Sequence, residues 1–311
     1  MIEINNLVKD YGVTRAVDHL NLTIGQGEIF GLLGPNGAGK TTIILSLLGL
    51  SEPTSGTVEV NGWNATSEPI KVKRITGYLP DHVGFSDNST GLQSLIFTAM
   101  LNGIPEDQAA ESARELLEVV GLKEAGERKT KTYSKGMIQR LGLADVLIKK
   151  PKIMVLDEPT IGIDPKGIND FLELIRTLSK EKGITVLLSS HLLYQVQKIC
   201  DRVGILVGGR LLTQGDVHSL ADELFGTRVT SIQVEAEPIS DELIQMLAKE
   251  PCIKEVHREN GSLLVKGTKE AAPLISQTLV NNGAKLYRLS SKEYGLDDIY
   301  QHYFEGGDEH V

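Results

Sequence analysis

A chain of 311 residues is longer than one ordinary domain and long enough for two. Hydrophobic residues at 41% and charged residues at 23% predict a soluble globular protein with a real core, while aromatics at 5% argue against a base-stacking or carbohydrate-binding surface. Lys and Arg total 32 against 41 Asp and Glu, a net charge of −9, which argues against a general nucleic-acid binder or a protein that adheres to anionic membranes.

The first 33 residues alternate apolar and polar positions, as in Ile2-Glu3-Ile4 and Leu20-Asn21-Leu22-Thr23-Ile24, and predict short strands and turns. The start carries neither a basic segment nor an apolar core, so no signal peptide is expected. Glu28 to Leu33 predicts a buried strand running directly into Gly34-Pro35-Asn36-Gly37-Ala38-Gly39-Lys40-Thr41-Thr42. Ile43, Ile44, Leu47 and Leu48 then fall at helical spacing. This apolar run is broken by Ser46 and Gly49, and no segment approaches the roughly 18–20 apolar residues that span a bilayer.

From about Gly91 to Ile148 the pattern is helical, broken at Gly103-Ile104-Pro105 and Gly121. Lys152 to Leu156 is wholly apolar after its first residue, as a parallel strand buried on both faces requires. A helix around Phe171 to Leu178, a strand at Thr185 to Leu188 and another near Val203 to Val207 follow. Cys200, and Cys252 further on, have no ligand-type neighbour and read as packing residues in a reducing compartment.

The texture changes after Phe225-Gly226. Strands at Ser231–Glu235, Ile253–His257, Leu263–Val265 and Lys285–Leu289 are interleaved with helices at Asp241–Lys249 and Glu270–Asn281. This β-α-β-β-α-β order predicts a small ferredoxin-like α+β domain, with a last helix around Leu296 to Phe304.

Gly34 to Thr41 satisfies G-x-x-x-x-G-K-[ST] without a mismatch, between a predicted strand and a predicted helix. Such a loop turns backbone N–H groups inward around phosphates and aims a helix N-terminus at them. Lys40 is placed to reach the β- and γ-phosphates of a nucleotide, and the Thr41 hydroxyl to take a Mg²⁺ position. Met154-Val155-Leu156-Asp157-Glu158 supplies an acid at the tip of a buried strand, with Asp157 suited to Mg²⁺ and Glu158 to activating a water in line with the γ-phosphate.

With these motifs in place, residues 1 to 224 resemble the ATP-binding subunit of ABC transporters. Ser134-Lys135-Gly136-Met137, with Gln139 and Arg140, is similar to the family signature, Gly162-Ile163-Asp164-Pro165 to its D-loop, and His191 to its switch histidine. The resemblance implies that Ser134, Lys135, Gly136 and Asp164 meet the ATP held by a second copy, and that His191 contacts the γ-phosphate. Tyr11 stands where the family stacks a ring on adenine, with Ala16 and Val17 close by.

Two positions depart from the family pattern. Asp81 replaces the usual Gln after Gly77-Tyr78-Leu79-Pro80, and Tyr-Ser-Lys-Gly-Met replaces the common Leu-Ser-Gly-Gly-Gln. Unit charges about 4 Å apart repel by about 4 kcal/mol at an effective dielectric of about 20, so Asp81 is expected to face the γ-phosphate only through Mg²⁺ or its waters.

The fold implied is an α/β P-loop ATPase of ABC type over residues 1–224, with an inserted helical subdomain at about 86–150, followed by an α+β accessory domain over 225–311. The activity implied is Mg²⁺-dependent ATP hydrolysis that powers a separate integral membrane permease, with a second copy of the chain completing the site. No nucleic-acid partner is expected, and the expected place is the cytoplasmic face of the membrane, reached only through the permease. The signature form and the C-terminal appendix resemble the bacterial and archaeal export branch. A narrower similarity is to the ATPase of the transporter that matures copper-dependent nitrous oxide reductase. The competing class is a soluble ABC ATPase acting on nucleic acid or ribosomes. Against it stand the acidic charge, a single phosphate loop and the lack of a long heptad insertion.

Overall fold

The computed structural model describes residues 1–225, 230–259, 262–268, 270–293 and 296–305. The chain divides into two compact units, Met1–Gly215 and Asp216–Val311.

In the first unit, β1 (Ile2–Tyr11) and β2 (Thr14–Ile24) pair antiparallel, and β3 (Ile29–Leu33) leads into α1 (Lys40–Leu47). Next come β4 (Ser55–Val60), β5 (Trp63–Asn64), α2 (Pro69–Ile75) and β6 (Thr76–Leu79). Helices α3 (Gly91–Leu101), α4 (Glu106–Val119) and α5 (Lys135–Leu147) form the helical segment. The unit closes with β7 (Ile153–Asp157), α6 (Pro165–Lys182), β8 (Thr185–Ser190), α7 (Leu193–Val196), β9 (Arg202–Val207) and β10 (Arg210–Gly215).

Two sheets result. One is antiparallel in the order β2-β1-β4-β5, the other runs β10-β9-β3-β8-β7-β6 with all but the edge strand β10 parallel. Helix α1 shares one core with both: Ile43, Ile44, Leu47 and Leu48 cluster with Ile4, Leu22 and Val58 on one side and Phe30, Val155 and Leu187 on the other. A helix buried on several sides needs apolar residues around its circumference, which is why α1 is apolar without a polar stripe. Strands β3, β7 and β8 are buried along their whole length, as parallel strands covered on both faces must be.

The helices start and stop where side chains satisfy their free ends. Thr90 and Gln93 form a reciprocal capping box on α3. Asp164 caps α6 ahead of Pro165, and the helix runs on to a left-handed Gly183 with Lys180 and Lys182 in its last turn. These caps make α6 longer than its apolar residues Phe171 to Leu178 imply.

The second unit starts with α8 (Val217–Phe225). It continues with β11 (Thr230–Glu237), α9 (Asp241–Leu247), β12 (Ile253–Glu259), β13 (Ser262–Gly267), α10 (Ala271–Asn281), β14 (Lys285–Glu293) and α11 (Leu296–Glu305). The sheet is antiparallel in the order β12-β13-β11-β14, the split arrangement of a β-α-β-β-α-β unit. Ile232, Val234, Leu263 and Val265 on its inner face pack against Leu243, Leu247, Ile275 and Leu279. Gly226, where the sequence changes texture, lies outside the described residues.

Candidate nucleotide site

Strands β3, β7 and β8 end side by side, with Leu33 opposite Ser190 and Asp157 opposite Ser189. Ligands of open parallel sheets bind outside these carboxyl ends, where neighbouring connections leave in opposite directions. A cleft of about 400 Å³ opens there, lined by Ala16, the loop and first helical turn from Asn36 to Thr42, and Asp81, Asp157, Glu158 and Ile161. Its size falls within the range of small-molecule sites.

The loop owes its path to glycine. Gly37 and Gly39 have φ of 82° and 106°, values that residues with a Cβ rarely adopt, and a Cβ on Gly39 would strike the Ala16 carbonyl. Lys40 is almost fully buried, and its ammonium donates to the carbonyl oxygens of Gly34 (2.7 Å) and Pro35 (3.1 Å) while lying 3.4 Å from Glu158 Oε1. The lysine therefore arches back over its own loop.

The acids are held as firmly. Asp157 is 2% exposed; its Oδ2 accepts from the Thr41 hydroxyl at 3.1 Å and its Oδ1 from the Ser189 hydroxyl. Glu158 sits in the left-handed region at φ 47°, costly for a residue with a side chain, and its N–H is held by the Ser189 carbonyl and hydroxyl oxygens at 3.2 and 3.1 Å. Its Oε2 pairs with His191 Nδ1 at 2.9 Å, whereas the buried Oε1 makes no hydrogen bond and has only the nearby Lys40 charge. An under-satisfied buried carboxylate oxygen facing a cleft marks a group available to a ligand or water.

Asp81 lines the same cleft but is half-exposed, and both its oxygens are occupied by the neighbouring His82, at 2.8 Å to the backbone N–H and 2.8 Å to Nδ1. Burial, reinforced by the charges of Asp157 and Asp81, pushes the Tyr78 phenol up to about 12, so it remains protonated.

The other expected residues are placed elsewhere. Val17 is fully buried in the core, and the neighbouring Ala16 lines the cleft instead. The half-exposed Tyr11 ring stands outside the cleft lining, under the Lys9 ammonium 4.9 Å from its centroid, with its hydroxyl 3.2 Å from Ser51. Ser134 caps α5, accepting from Met137 N–H at 3.3 Å, and Asp164 caps α6, accepting from Gly167 N–H at 3.2 Å. Lys135 lies along Gly162, where a Cβ would collide with its stem, so the signature segment and the Gly162 loop meet within one chain. None of Ser134, Lys135, Gly136 and Asp164 lines the cleft. Sequence reasoning missed Ser189 and His82; a polar residue directly after the buried apolar run Val186 to Leu188 was the available signal for Ser189.

A glycine-rich loop joining strand to helix, a buried lysine over it and paired acids at the next strand ends define a P-loop nucleoside-triphosphatase. The family profile described as ABC transporter matches residues 17–161. Over 311 residues the chain is 35% identical to the bacitracin transport ATP-binding protein BcrA of Bacillus licheniformis, covering 99% of this chain and 98% of BcrA. It is 36% identical to the daunorubicin/doxorubicin resistance ATP-binding protein DrrA of Streptomyces peucetius, covering 83% and 78% of the two chains. Among solved structures, CbiO1 of Clostridium perfringens, part of the ABC transporter complex CbiONQ, aligns with a TM-score of 0.65 at 27% identity, over 80% of this chain and 95% of that one. The chain belongs to the ABC transporter family as an ATP-binding, ATP-hydrolysing subunit. No helix among its described residues is long and apolar enough to cross a membrane.

Proposed function

We propose that this chain binds Mg-ATP in the cleft at the ends of β3, β7 and β8 and, working as a pair beneath a separate membrane permease, drives export of an antibiotic-like compound. The observation that carries the ATPase part is the set of contacts among Lys40, Thr41, Asp157 and Glu158, which line one cleft, with His191 bonded to Glu158. Gly34 to Thr42 cradle the phosphates, and Lys40 leaves its loop carbonyls for the γ-phosphate.

The donor set suits Mg²⁺. Thr41 Oγ1 and Asp157 Oδ2 are hard oxygens 3.1 Å apart, and Mg²⁺ keeps several waters while taking one or two protein oxygens and phosphate oxygens. No three His, Cys, Asp or Glu side chains among the described residues are grouped to hold a metal ion, which suits an ion that arrives with the nucleotide. Thr41 and Asp157 would hold the ion, which would supply positive charge against the phosphates, and Asp81, on the same cleft and now bonded to His82, would add a further negative oxygen on the metal side.

Glu158 accepts the proton of the attacking water, oriented by His191 at its other oxygen. Ser134, Lys135, Gly136 and Asp164, which lie outside the cleft lining, contact the ATP of the second copy, and Tyr11 packs on its own adenine. The second unit, from Asp216 onward, serves as an accessory domain.

The match to BcrA over nearly the full length of both chains supports export of antibiotic-type cargo over the copper-maturation likeness. It also supports a transporter role over a nucleic-acid or ribosome partner. The test is co-purification. The tagged chain, extracted with membranes in mild detergent and Mg-ATP, is expected to bring down a stoichiometric multi-helix membrane protein. Recovery with ribosomes or DNA, and no membrane protein, would reject the transporter reading.

A further inference from the structure

The Ser189 hydroxyl is fully buried and has one proton and two lone pairs to place. It donates that proton to Asp157 Oδ1 and accepts the N–H of Glu158 at 3.1 Å. One oxygen atom thus touches both acids of the site. Holding Oδ1 fixes the rotation of the Asp157 carboxylate and leaves Oδ2 as the oxygen that faces Thr41. Holding the Glu158 N–H, with help from the Ser189 carbonyl, keeps Glu158 at φ 47°, the backbone state from which its side chain reaches His191 and Lys40. The register of β8 on β7 sets this up, because Asp157 and Ser189 are direct neighbours across the two strands.

We propose that Ser189 is a positioning residue for ATP hydrolysis, orienting Asp157 toward the metal position and Glu158 toward the attacked phosphate. The proposal rests on the ATPase assignment and on the roles given above to the two acids.

Ser189→Ala removes the hydroxyl without adding bulk. Outer-sphere partners of metal ligands are worth about 10–100-fold in metal affinity or activity, so kcat is expected to fall by about that factor with KM for ATP little changed. Binding of Mn²⁺ in the presence of ADP, followed by loss of the free-ion EPR signal, is expected to weaken about tenfold. ADP affinity in EDTA should stay at the wild-type value. Thr185→Val is the matched control: an equally buried hydroxyl at the other end of β8, bonded to Gly27 N–H at 2.8 Å and touching neither acid. It should leave kcat and Mn²⁺ binding unchanged.

Ser189→Thr, which keeps the hydroxyl, should recover activity. Should its extra methyl prevent folding, Ser189→Cys, similar in volume but a weak donor, must reproduce the alanine phenotype. Wild-type kcat and Mn²⁺ affinity in the alanine variant, or in the cysteine variant, would overturn the proposal. A wild-type chain that binds ADP yet hydrolyses no ATP would count against the ATPase assignment, and the Mn²⁺ titration would still decide the role of Ser189.

Discussion

Glu158→Gln is expected to lower the ATP turnover rate by about 10²–10⁴-fold, the range over which a positioned general base acts. The substitution keeps the shape and still offers a polar partner to His191, which now lies 2.9 Å from Glu158 Oε2, so the local fold should survive. It removes the negative oxygen 3.4 Å from Lys40, and with it some competition for the lysine against the γ-phosphate. ATP binding is therefore expected to be equal to or tighter than that of the wild type. Steady-state phosphate release together with equilibrium nucleotide binding checks both halves; a parallel loss of binding and rate would mean that Glu158 holds the site together instead of acting on water.

Lys40→Met should have the opposite profile. The apolar stem is kept, but the ammonium that now satisfies the carbonyls of Gly34 and Pro35 and faces Glu158 is gone. Removing one partner of a desolvated charge pair costs about 2–5 kcal/mol of binding, a loss in ATP affinity of about 30-fold or more. The same change leaves Glu158 Oε1 buried without a neighbouring cation, so the nucleotide-free protein should also melt earlier. Titration with a fluorescent ATP analogue measures the first effect and thermal unfolding the second. Affinity within about threefold of the wild type would show that the phosphates sit elsewhere.

The parts of this site that were legible in the sequence are those whose chemistry needs a fixed residue type at a fixed spacing. Gly37, Gly39, Lys40 and Thr41 serve a loop that only a few sequences can form, and Asp157-Glu158 follows a strand whose apolar run announces its burial. Proximity in sequence to Tyr11 and Ala16 does not say which way Val17 faces. On β2 its side chain points into the core, and Ala16, one residue away, points to the opposite face. The role of Ser189 depends on β8 lying beside β7 in one register, a non-local fact that no local pattern carries. His82 was passed over because its partner is simply the preceding residue, Asp81.

The fold shows the same division. Strands β3, β7 and β8 and the alternating β11 and β13 announce themselves by pattern. Strand β4 begins with Ser55 and Gly56, and α2 is a seven-residue helix started by Pro69; neither has enough periodic apolar residues to stand out. Helix α8 carries a clear apolar face, Val217, Leu220 and Ala221, yet its placement in the second unit follows from packing with α11, at the far end of the chain.

In the proposed cycle ATP closes two copies of this chain into one working unit, with Lys40 of one copy and Ser134 of the other on the same nucleotide. Its most direct test is the solution mass of Glu158→Gln by light scattering, with Mg-ATP and with Mg-ADP. The mass is expected to double with ATP, not with ADP, and the further change Ser134→Arg is expected to abolish the doubling. A mass that stays that of one chain at saturating ATP, with nucleotide binding verified on the same sample, would contradict it.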